Sequence, residues 1–405
     1  MSKPMRICIV SQEYPPETGG GGIGTQAHLK AQGLSTRGHH VEVVSASWNN
    51  PRSEYDGKAL IHRIRPDDYG VDAMETFTLW MGYSLSVAKK LQELKAEENF
   101  DIIQFPEYVG EGFFHQTNNF RYRQARYSVQ LHGPLGMFAE HMSWPEKHTA
   151  TYKVGCFMEK NVIHHSDGVL ASSHNTAKFC SSYYDYPLDQ INVIHSGINI
   201  DKFSPLPRET DDDAFPKILF VGNLVGAKGF NLLVETISRM SKRYPKIKLR
   251  TIGKGGDETV PWAQKYAAEF GAEKNVEFLR YVHHSDLPKH FAWSDMFAGP
   301  SIYEPGPGNV YLEAMACARP VIACNTAGAP EVVLNDRTGL LISSQDSAEL
   351  EKAIIKLAED AALRERLGTA GRKWVSDNFS IEKYIDKVEQ FYQRLMQQPQ
   401  RGKEG

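Results

Sequence analysis

The stretch Pro300–Met315, which reads PSIYEPGPGNVYLEAM, carries residue types that could bind a phosphorylated sugar. An apolar run, Met296–Ala298, ends just before it and predicts a strand. Glu304 follows closely, and then a loop broken by proline and glycine, Pro305–Gly308. This order places a carboxylate and a closely approachable backbone at the carboxyl end of a strand, where α/β sheets bind their ligands.

The residues after this loop predict a helix over Val310–Ala318, with Asn309 as its N-cap. The free N–H groups of a helix N-terminus attract an anion such as a phosphate. Glu313 lies one turn inside this helix, where its carboxylate could accept hydrogen bonds from hydroxyl groups of the same ligand. A diphosphate and a ribose are two parts of a sugar nucleotide, so the segment predicts a sugar-nucleotide site.

Two further residues follow predicted strands and could act on the same ligand. Lys228, in VGNLVGAKGF, lies between a strand that ends at Gly222 and a helix that begins near Phe230. Its cation could neutralise the charge of a leaving phosphate. His132, in QLHGP, follows the predicted strand Tyr127–Leu131 and could bind a sugar hydroxyl or a phosphate oxygen. The alternatives are a solvated loop lysine and a structural histidine.

A glycine-rich loop, ETGGGGIGTQ, lies between the first predicted strand and the first predicted helix. Gly21 and Gly22 have no side chain, so their N–H groups could approach a diphosphate or its sugar. The spacing of Gly19, Gly21 and Gly24 also fits the G-x-G-x-x-G pattern of dinucleotide folds. That pattern needs an acid at the end of the second strand, and Val43–Ala46 offers none. NAD binding is therefore disfavoured, and a merely flexible loop is the other alternative.

Other polar clusters favour ordinary roles. The pairs His164–His165 and His283–His284 have no carboxylate or cysteine at the spacing of metal ligands, so we expect surface residues. Asp211–Asp213 follows no strand and is predicted to be a solvated charge run in a linker, not a metal–diphosphate motif. The basic aromatic patch Phe120–Tyr127 is either a solvated helix face or a contact with an anionic acceptor or a membrane surface.

The composition is that of an ordinary globular protein with room for two domains. The chain has 405 residues, of which 41% are hydrophobic and 23% are charged, and its formal net charge is −3. Such a charge gives no global attraction to nucleic acid. Five scattered cysteines without a C-x-x-C spacing indicate a reducing compartment and no zinc site. No signal peptide or membrane span is predicted, so we expect a cytoplasmic protein. If the protein contacts a membrane, we expect that contact to be with the inner face.

Apolar runs alternate with helical patterns on both sides of a charged, proline-containing stretch, Ser204–Pro216. Repeated βα units predict parallel sheets with helices on both faces. We therefore predict an α/β fold with two doubly wound, Rossmann-like domains and a cleft between them. The predicted domains are residues 1–200 and 201–379, and a C-terminal helix near residues 380–398 is expected to pack back on the first domain.

Taken in order, these segments resemble the retaining glycosyltransferases of family 4, which have the two-domain GT-B architecture. The resemblance covers nearly the whole chain. It lies in MRICIVSQEYPPETGGGG, RGHHVEVVS, FDIIQFPE, QLHG and VIHSGINIDKF, and then in FVGNLVGAKGF, PSIYEPGPGNVYLEAMACARPVIAC, AGAPEVV and TGLLI. Each motif alone is weak, and their order and spacing together are specific.

The resemblance implies that the second domain holds a nucleotide-sugar donor and that an acceptor faces the first domain. By position it assigns three residues to catalysis: His132 at the transferred sugar, Lys228 at the diphosphate and Glu304 near the sugar. Glu313 matches the glutamate that binds the ribose. Residues near the diphosphate and the sugar are matched by Gly21, Gly22, Gly308, Asn309 and Val310.

Two positions depart from the family pattern. Family members usually carry an arginine shortly before the lysine, and this chain has Asn223 there. We expect another cation, Arg280 in FLRYV, to take its place near the diphosphate. The loop between Glu304 and Glu313 is one residue longer than usual, which affects the placement of Glu304.

The sequence and the resemblance together predict a retaining transferase of a hexose, with glucose expected, from a nucleoside diphosphate sugar, with UDP expected. The expected acceptor is a saccharide or a glycolipid in polysaccharide biosynthesis, and a lipid-linked acceptor would bring a peripheral membrane contact. We expect no cofactor, no metal and no nucleic-acid partner. The rivals are a phosphorylase or epimerase on the same scaffold and a catalytically weak nucleotide-sugar-binding protein, which the neutral Asn223 keeps open.

Overall fold

The computed structural model describes residues 3–18, 21–66, 76–97, 99–119, 123–207, 213–253 and 258–401. These residues form two compact units. Unit 1 comprises the described residues up to Gly197 and from Ile381 onward, and unit 2 comprises Ile198–Ser380. Each unit contains a parallel or mostly parallel sheet with helices, which confirms the α/β prediction. In the described part of the chain, no helix is long and apolar enough to cross a membrane.

Unit 1 contains an eight-stranded sheet. Its strands β1 to β8 are Arg6–Val10, His40–Ala46, Arg52–Asp56, Ala59–Ile64, Ile102–Pro106, Arg126–Leu131, Gly168–Ala171 and Ile191–Val193. Their order across the sheet is β3-β4-β2-β1-β5-β6-β7-β8, and only the β3–β4 pair is antiparallel. The order reverses between β1 and β5, so the ends of these two strands flank a topological switch point.

Helices cover both faces of this sheet. Along β1, Cys8 and Val10 pack into one hydrophobic cluster, whereas Ile7 and Ile9 pack into another. Because successive strand side chains point to opposite faces, the two clusters lie on opposite sides of the sheet. The helices of unit 1 are α1 to α6, at Gly22–Thr36, Thr76–Glu97, Phe113–Asn119, Leu135–His141, Ala150–His164 and His174–Tyr184, and α13 at Ile381–Gln397.

The last helix belongs to unit 1 although it follows unit 2 in the chain. Helix α13 packs on α1, where Ile385 lies against Gly33. A Cβ atom on Gly33 would come within 2.4 Å of Ile385 Cγ1, so the absence of a side chain permits this close approach. Arg37 adds an ion pair of 3.0 Å to Glu389.

Unit 2 contains a six-stranded parallel sheet. Its strands β9 to β14 are Lys217–Val221, Lys248–Ile252, Val276–Phe278, Met296–Gly299, Val321–Cys324 and Gly339–Ile342. The order is β11-β10-β9-β12-β13-β14, which reverses between β9 and β12. Helices α7 to α12 are Phe230–Met240, Thr259–Glu269, Leu287–Trp293, Asn309–Ala316, Ser347–Glu359 and Ala361–Asn378. Ile218 and Leu219 of β9 enter different clusters, so this sheet also has two covered faces.

Three sequence expectations need correction or fall outside the description. Asn309 is the first residue of α10, and the N-cap is Gly308, whose φ of 72° suits glycine better than asparagine. The basic aromatic patch is not a solvated helix face where it is described, because Arg126–Leu131 forms β6 and the buried Arg123 lies 2.6 Å from Asp167. The remaining residues in question lie outside the described part: Gly19, Gly20, Phe120, Arg121, Tyr122, Asp211 and Asp212.

Candidate functional site

The strand order of unit 2 brings two predicted site segments to one edge. The loop with Lys228 follows β9, and the loop with Glu304 follows β12. These strands are parallel neighbours at the reversal of the strand order, so both loops leave from the carboxyl edge of the sheet. A doubly wound sheet binds its ligand at this point.

The Lys228 loop is fixed directly on the start of the other loop. The Ile302 N–H donates to the Ala227 carbonyl oxygen at 2.9 Å. Gly229 has a φ of 82°, and a Cβ atom there would lie 2.2 Å from the Pro300 carbonyl oxygen. A residue with a side chain would therefore push the two loops apart, and the glycine allows Lys228 to reach the Glu304 loop.

Lys228 and Glu304 form an ion pair at this edge. The Lys228 Nζ lies 2.7 Å from Glu304 Oε2, and both side chains are partly exposed, at 28% and 20%. The cation is thus accessible to a ligand while its charge is balanced by a carboxylate. Because an ammonium group can donate three hydrogen bonds, it could bind a diphosphate oxygen beside Glu304 or in place of it.

The Glu304 loop rests on a second glycine segment, within the AGAPEVV motif. The Gly328 N–H donates to the Glu304 carbonyl oxygen at 2.9 Å. A Cβ atom on Gly328 would lie 2.0 Å from the Gly306 carbonyl oxygen, so a side chain there could not be accommodated without a shift. This contact explains why a glycine motif far along the chain belongs to the site: it supports the loop that carries the carboxylate.

The N-terminus of α10 lies next to the same loop. Asn309 and Val310 are the first two residues of this helix, after Gly308. A Cβ atom on Gly308 would be 2.6 Å from the Tyr311 ring and 3.3 Å from Glu304 Cγ, which shows how close the carboxylate loop comes to the helix start. The buried Tyr311 donates from its hydroxyl to the Gly299 carbonyl oxygen at 2.7 Å and holds the first turn against β12.

Glu313 has a partner that the sequence did not indicate. The carboxylate is buried on α10, and its Oε1 lies 2.8 Å from Nε2 of His284. The His284 side chain is 40% exposed, in line with the expected surface position, but it contacts a carboxylate that the sequence did not indicate. His283 is exposed, and its ring contacts the nearby Ser285 hydroxyl. His164 is partly buried, with Nε2 at 2.7 Å from the Tyr184 carbonyl oxygen.

Asn223 and Arg280 are exposed at the carboxyl ends of β9 and β11. Strand β10 lies between these two strands, so their ends are roughly 10 Å apart at the usual strand spacing. Gly253 connects them: its N–H donates to the Arg280 carbonyl oxygen at 2.9 Å, and a Cβ atom on it would lie 1.9 Å from the Gly222 carbonyl oxygen. The described contacts give Arg280 no anionic partner, and its role near the diphosphate stays a prediction.

The predicted residues of unit 1 lie at one edge of its own sheet. Gly21 caps helix α1 after β1, Gly22 begins that helix, and both are exposed. His132 follows β6, and β1, β5 and β6 are consecutive in the sheet. The carboxyl edge of this sheet therefore carries the glycine loop, the histidine and a buried carboxylate, Glu107, which the sequence expectations did not include.

Buried glutamates hold this edge together. Oε1 of Glu107 accepts hydrogen bonds from the N–H groups of His132 and Gly133, both at 2.6 Å, and so fixes the histidine loop. Glu159 accepts from the Val109 N–H at 3.0 Å and from the Leu135 N–H at 2.9 Å. Burial raises the pKa of Glu107 to about 8 and that of Glu159 to about 7.

The electrostatic setting of His132 favours its neutral form. Burial, and then the Lys30 cation, lower the pKa of His132 to about 3. Lys30 is itself buried on α1, where its Nζ donates to the side chains of Gln104 and Gln130. A neutral imidazole can accept as well as donate a hydrogen bond, which suits contact with a sugar hydroxyl. Among the described residues, no group of three His, Cys, Asp or Glu side chains is arranged to hold a metal ion.

Comparison with known proteins places this arrangement in a family. Residues 20–202 match the family described as Glycosyltransferase Family 4, and residues 206–374 match Glycosyl transferases group 1. Sucrose-phosphate synthase from Thermosynechococcus elongatus has a similar structure, with a TM-score of 0.83 and 21% identity over 97% of this chain and 99% of that chain.

Two curated relatives extend over nearly the full length. A GDP-mannose-dependent monoacylated alpha-(1-6)-phosphatidylinositol monomannoside mannosyltransferase of Corynebacterium glutamicum is 30% identical over 94% of this chain and 96% of the relative. Glycogen synthase of Mycobacterium tuberculosis is 25% identical over 98% of this chain and 97% of the relative. The chain belongs to glycosyltransferase family 4, has the GT-B fold and is a glycosyltransferase.

Proposed function

We propose that the protein is a retaining hexosyltransferase that moves glucose from UDP-glucose to a saccharide or glycolipid acceptor, without a metal ion. The observation that carries the proposal is the ion pair of Lys228 and Glu304, 2.7 Å long, at the switch point of the second sheet and beside the start of α10. This arrangement offers a cation and helix N–H groups to a diphosphate, and a carboxylate to the sugar attached to it.

The proposed reaction needs charge stabilisation more than a nucleophile from the protein. The bond between the anomeric carbon and the diphosphate oxygen breaks, and the acceptor hydroxyl forms its new bond from the same face, which retains the configuration. The hydroxyl proton passes to the departing diphosphate. Lys228 and the N–H groups at the start of α10 stabilise that diphosphate, and Glu304 orients the sugar and favours positive charge at its anomeric carbon.

The donor is tested by stabilisation and then by turnover. A ligand that binds only the folded protein raises its Tm. We expect UDP and UDP-glucose to raise the Tm more than the other nucleoside diphosphates and nucleotide sugars of a panel. We then expect UDP release from UDP-glucose in the presence of saccharide or glycolipid acceptors, with an α-linked product by NMR. A β-linked product would contradict retention, and binding without any transfer would favour the catalytically weak alternative over a working enzyme.

GDP-mannose is the second candidate donor. It is favoured by the Corynebacterium glutamicum relative, whose name states GDP-mannose dependence, whereas the name of the glycogen synthase points to a glucose polymer. The two candidates are separated by measuring kcat/KM for UDP-glucose and GDP-mannose with the same acceptor. A higher kcat/KM for GDP-mannose would replace glucose by mannose in the proposal and leave the chemistry at Lys228 and Glu304 unchanged.

Metal independence is tested separately. If Lys228 and the helix N-terminus carry the charge of the leaving diphosphate, transfer should proceed at an unchanged rate after EDTA treatment and desalting. The measurement is the initial rate with and without added Mg²⁺ or Mn²⁺. Loss of activity that either ion restores would show that a metal, and not Lys228, carries most of that charge.

A further inference from the structure

Three polar side chains of unit 2 are joined by consecutive contacts: Lys202, His284 and Glu313. Neither the sequence expectations nor the family resemblance treats these three residues as a group. His284 Nε2 is 2.8 Å from Glu313 Oε1, and His284 Nδ1 is 3.0 Å from Lys202 Nζ. Glu313 lies on α10, His284 lies in the loop before α9, and Lys202 lies near the start of the unit. The contacts therefore join segments that are far apart in the sequence.

The two contacts define the hydrogen-bonding state of the imidazole. An ammonium group can only donate hydrogen bonds, so Nδ1 of His284 accepts from Lys202. A neutral imidazole then carries its hydrogen on Nε2 and donates it to Oε1 of Glu313. In this state His284 occupies one acceptor position of the carboxylate. The carboxylate keeps further lone pairs for another donor, such as a hydroxyl group of a ligand.

The neighbouring residues hold Lys202 and His284 in place. The Asn199 side chain accepts from the Asp201 N–H at 3.1 Å and from the Lys202 N–H at 2.9 Å, which fixes the turn that carries the lysine. The next residue, Phe203, is fully buried, and its ring centroid lies 5.1 Å from that of His284. Glu313 is also buried, so its carboxylate orientation depends on the few partners that reach it.

We propose that Lys202 and His284 are positioning residues for the Glu313 carboxylate and that they make the donor site selective for ribose over deoxyribose. This inference rests on the proposed function, together with the expectation from the family resemblance that Glu313 binds the ribose of the donor. A carboxylate held by His284 at one oxygen presents its remaining lone pairs in a fixed direction. A ribose hydroxyl can donate to it, whereas a deoxy ligand leaves the buried carboxylate without that partner.

The test compares nucleotides that differ by one hydroxyl group. Dissociation constants are measured by calorimetry for UDP, 2′-deoxy-UDP and 3′-deoxy-UDP, and for the corresponding guanosine diphosphates. The variants are His284→Ala, His284→Gln and Lys202→Met. His283→Ala is the matched control, because His283 is the adjacent exposed histidine and its described partner is Ser285. Thermal melts of all variants establish that they are folded.

We expect the wild-type protein to bind at least one ribonucleotide about tenfold more tightly than one of its deoxy forms. His284→Ala should weaken ribonucleotide binding by about the same factor and leave deoxynucleotide binding nearly unchanged, so that the ratio approaches one. His284→Gln should restore part of the ratio, because its amide N–H can replace the Nε2–H donor. Lys202→Met should lower the ratio less, since it acts through His284, and His283→Ala should match the wild type.

The outcomes separate this inference from the function on which it rests. If the wild type selects the ribonucleotide and His284→Ala keeps the full ratio, the positioning role is wrong and the proposed function stands. An equal loss for ribo- and deoxynucleotides would show a merely structural role and also overturn the inference. If the wild type binds none of the six nucleotides, the proposed donor site fails and the inference fails with it.

Discussion

The charge of Lys228 is balanced by Glu304 in the described structure, so a donor diphosphate bound at Lys228, as we propose, would share the ammonium group with Glu304 or take its place. The lysine is partly exposed, which lets a diphosphate approach it without unfolding the loop. The cost of separating it from Glu304 is offset if the diphosphate takes over as the anionic partner, since ion pairs at partly exposed sites are weak. The pair therefore keeps the site balanced in charge before the donor arrives.

Replacing Lys228 by alanine should lower kcat more than it raises KM. The charge on the diphosphate grows as the glycosidic bond breaks, so the lost contact is stronger in the transition state, and removal of one such group typically costs about 100-fold in kcat. Steady-state kinetics give the split. Lys265→Ala is the control, because Lys265 is an exposed lysine of the same unit. Wild-type kcat in the Lys228→Ala variant would place the diphosphate elsewhere.

Asn223 is neutral at a position where the family resemblance leads us to expect an arginine, so the contribution of a second cation to diphosphate binding can be tested at this residue. We expect Asn223→Arg to tighten UDP binding, because the exposed position has room and a guanidinium can hold phosphate with two hydrogen bonds. Arg280→Ala should weaken UDP binding, and Arg243→Ala, an exposed arginine of the same unit, should not. Calorimetry with UDP measures all three. No effect of Arg280→Ala would leave the α10 N-terminus and Lys228 as the only proposed carriers of that charge.

At the scale of elements, the candidate site depends on loops that approach each other closely at glycine residues. Gly229 and Gly271 both have positive φ values, of 82° and 68°, but only Gly229 is crowded. We expect Gly229→Ala to destabilise the protein by several kcal/mol, because backbone strain of about 1–3 kcal/mol adds to a clash with the Pro300 carbonyl oxygen. Gly271→Ala should cost only the strain, since nothing lies within 4 Å of its Cβ position. Urea unfolding measures both, and equal losses would mean that the loop contact contributes nothing.

The strands that were predicted accurately are those that consist of a short segment rich in apolar residues. Tyr127–Leu131 and Met296–Ala298 are buried along their whole length, and each was predicted within one residue of the observed strand, Arg126–Leu131 and Met296–Gly299. The hairpin of β3 and β4 was not predicted, because Arg52–Asp56 is a polar edge strand without an apolar pattern. This strand is stabilised by its pairing with Ala59–Ile64, and the sequence of Arg52–Asp56 alone does not indicate that pairing.

Candidate site residues could be predicted where a single sequence segment contains the functional groups. Contacts between side chains from distant segments could not be predicted. Lys228 and Glu304 were both named from their loops, and the structure places them 2.7 Å apart because β9 and β12 are neighbours. The partner of Glu313 was missed, since nothing near His284 in the sequence indicates a carboxylate. Glu107 was missed for the same reason: its hydrogen bonds to the His132 loop cross from β5 to β6.

At the scale of the whole molecule, we expect the buried glutamates of unit 1 to affect the free energy of unfolding more than the small net charge of the chain would indicate. The net charge of −3 is small, yet Glu107, Glu111 and Glu159 are all buried. Burial raises the pKa of Glu111 to about 8, as it does for Glu107. These groups are stabilised by backbone N–H donors, but desolvation opposes their ionisation and dominates the shift.

Stability should therefore depend on pH through Glu107. Its pKa is about 8 in the folded protein and returns to about 4.5 in the unfolded chain, so between these values the folded protein keeps a proton that the unfolded chain has released. The free energy of unfolding then falls as pH rises through this window and levels off above it. His132 and Lys30, whose pKa values are lowered, act in the opposite direction, so the wild-type curve alone does not isolate Glu107.

A comparison with Glu107→Gln isolates this contribution. Glutamine does not titrate, so the variant should lose less stability than the wild type between pH 5 and pH 8, by roughly 1 kcal/mol or more for each unit of pKa shift that Glu107 contributes. Urea unfolding at a series of pH values measures the difference, and the contributions of His132 and Lys30 cancel in it. Glu111→Gln serves as a second variant with the same expected direction, because its pKa is raised by the same cause. Parallel curves for wild type and both variants would mean that these glutamates are ionised in the folded protein at pH 7, held by their backbone N–H donors despite their burial.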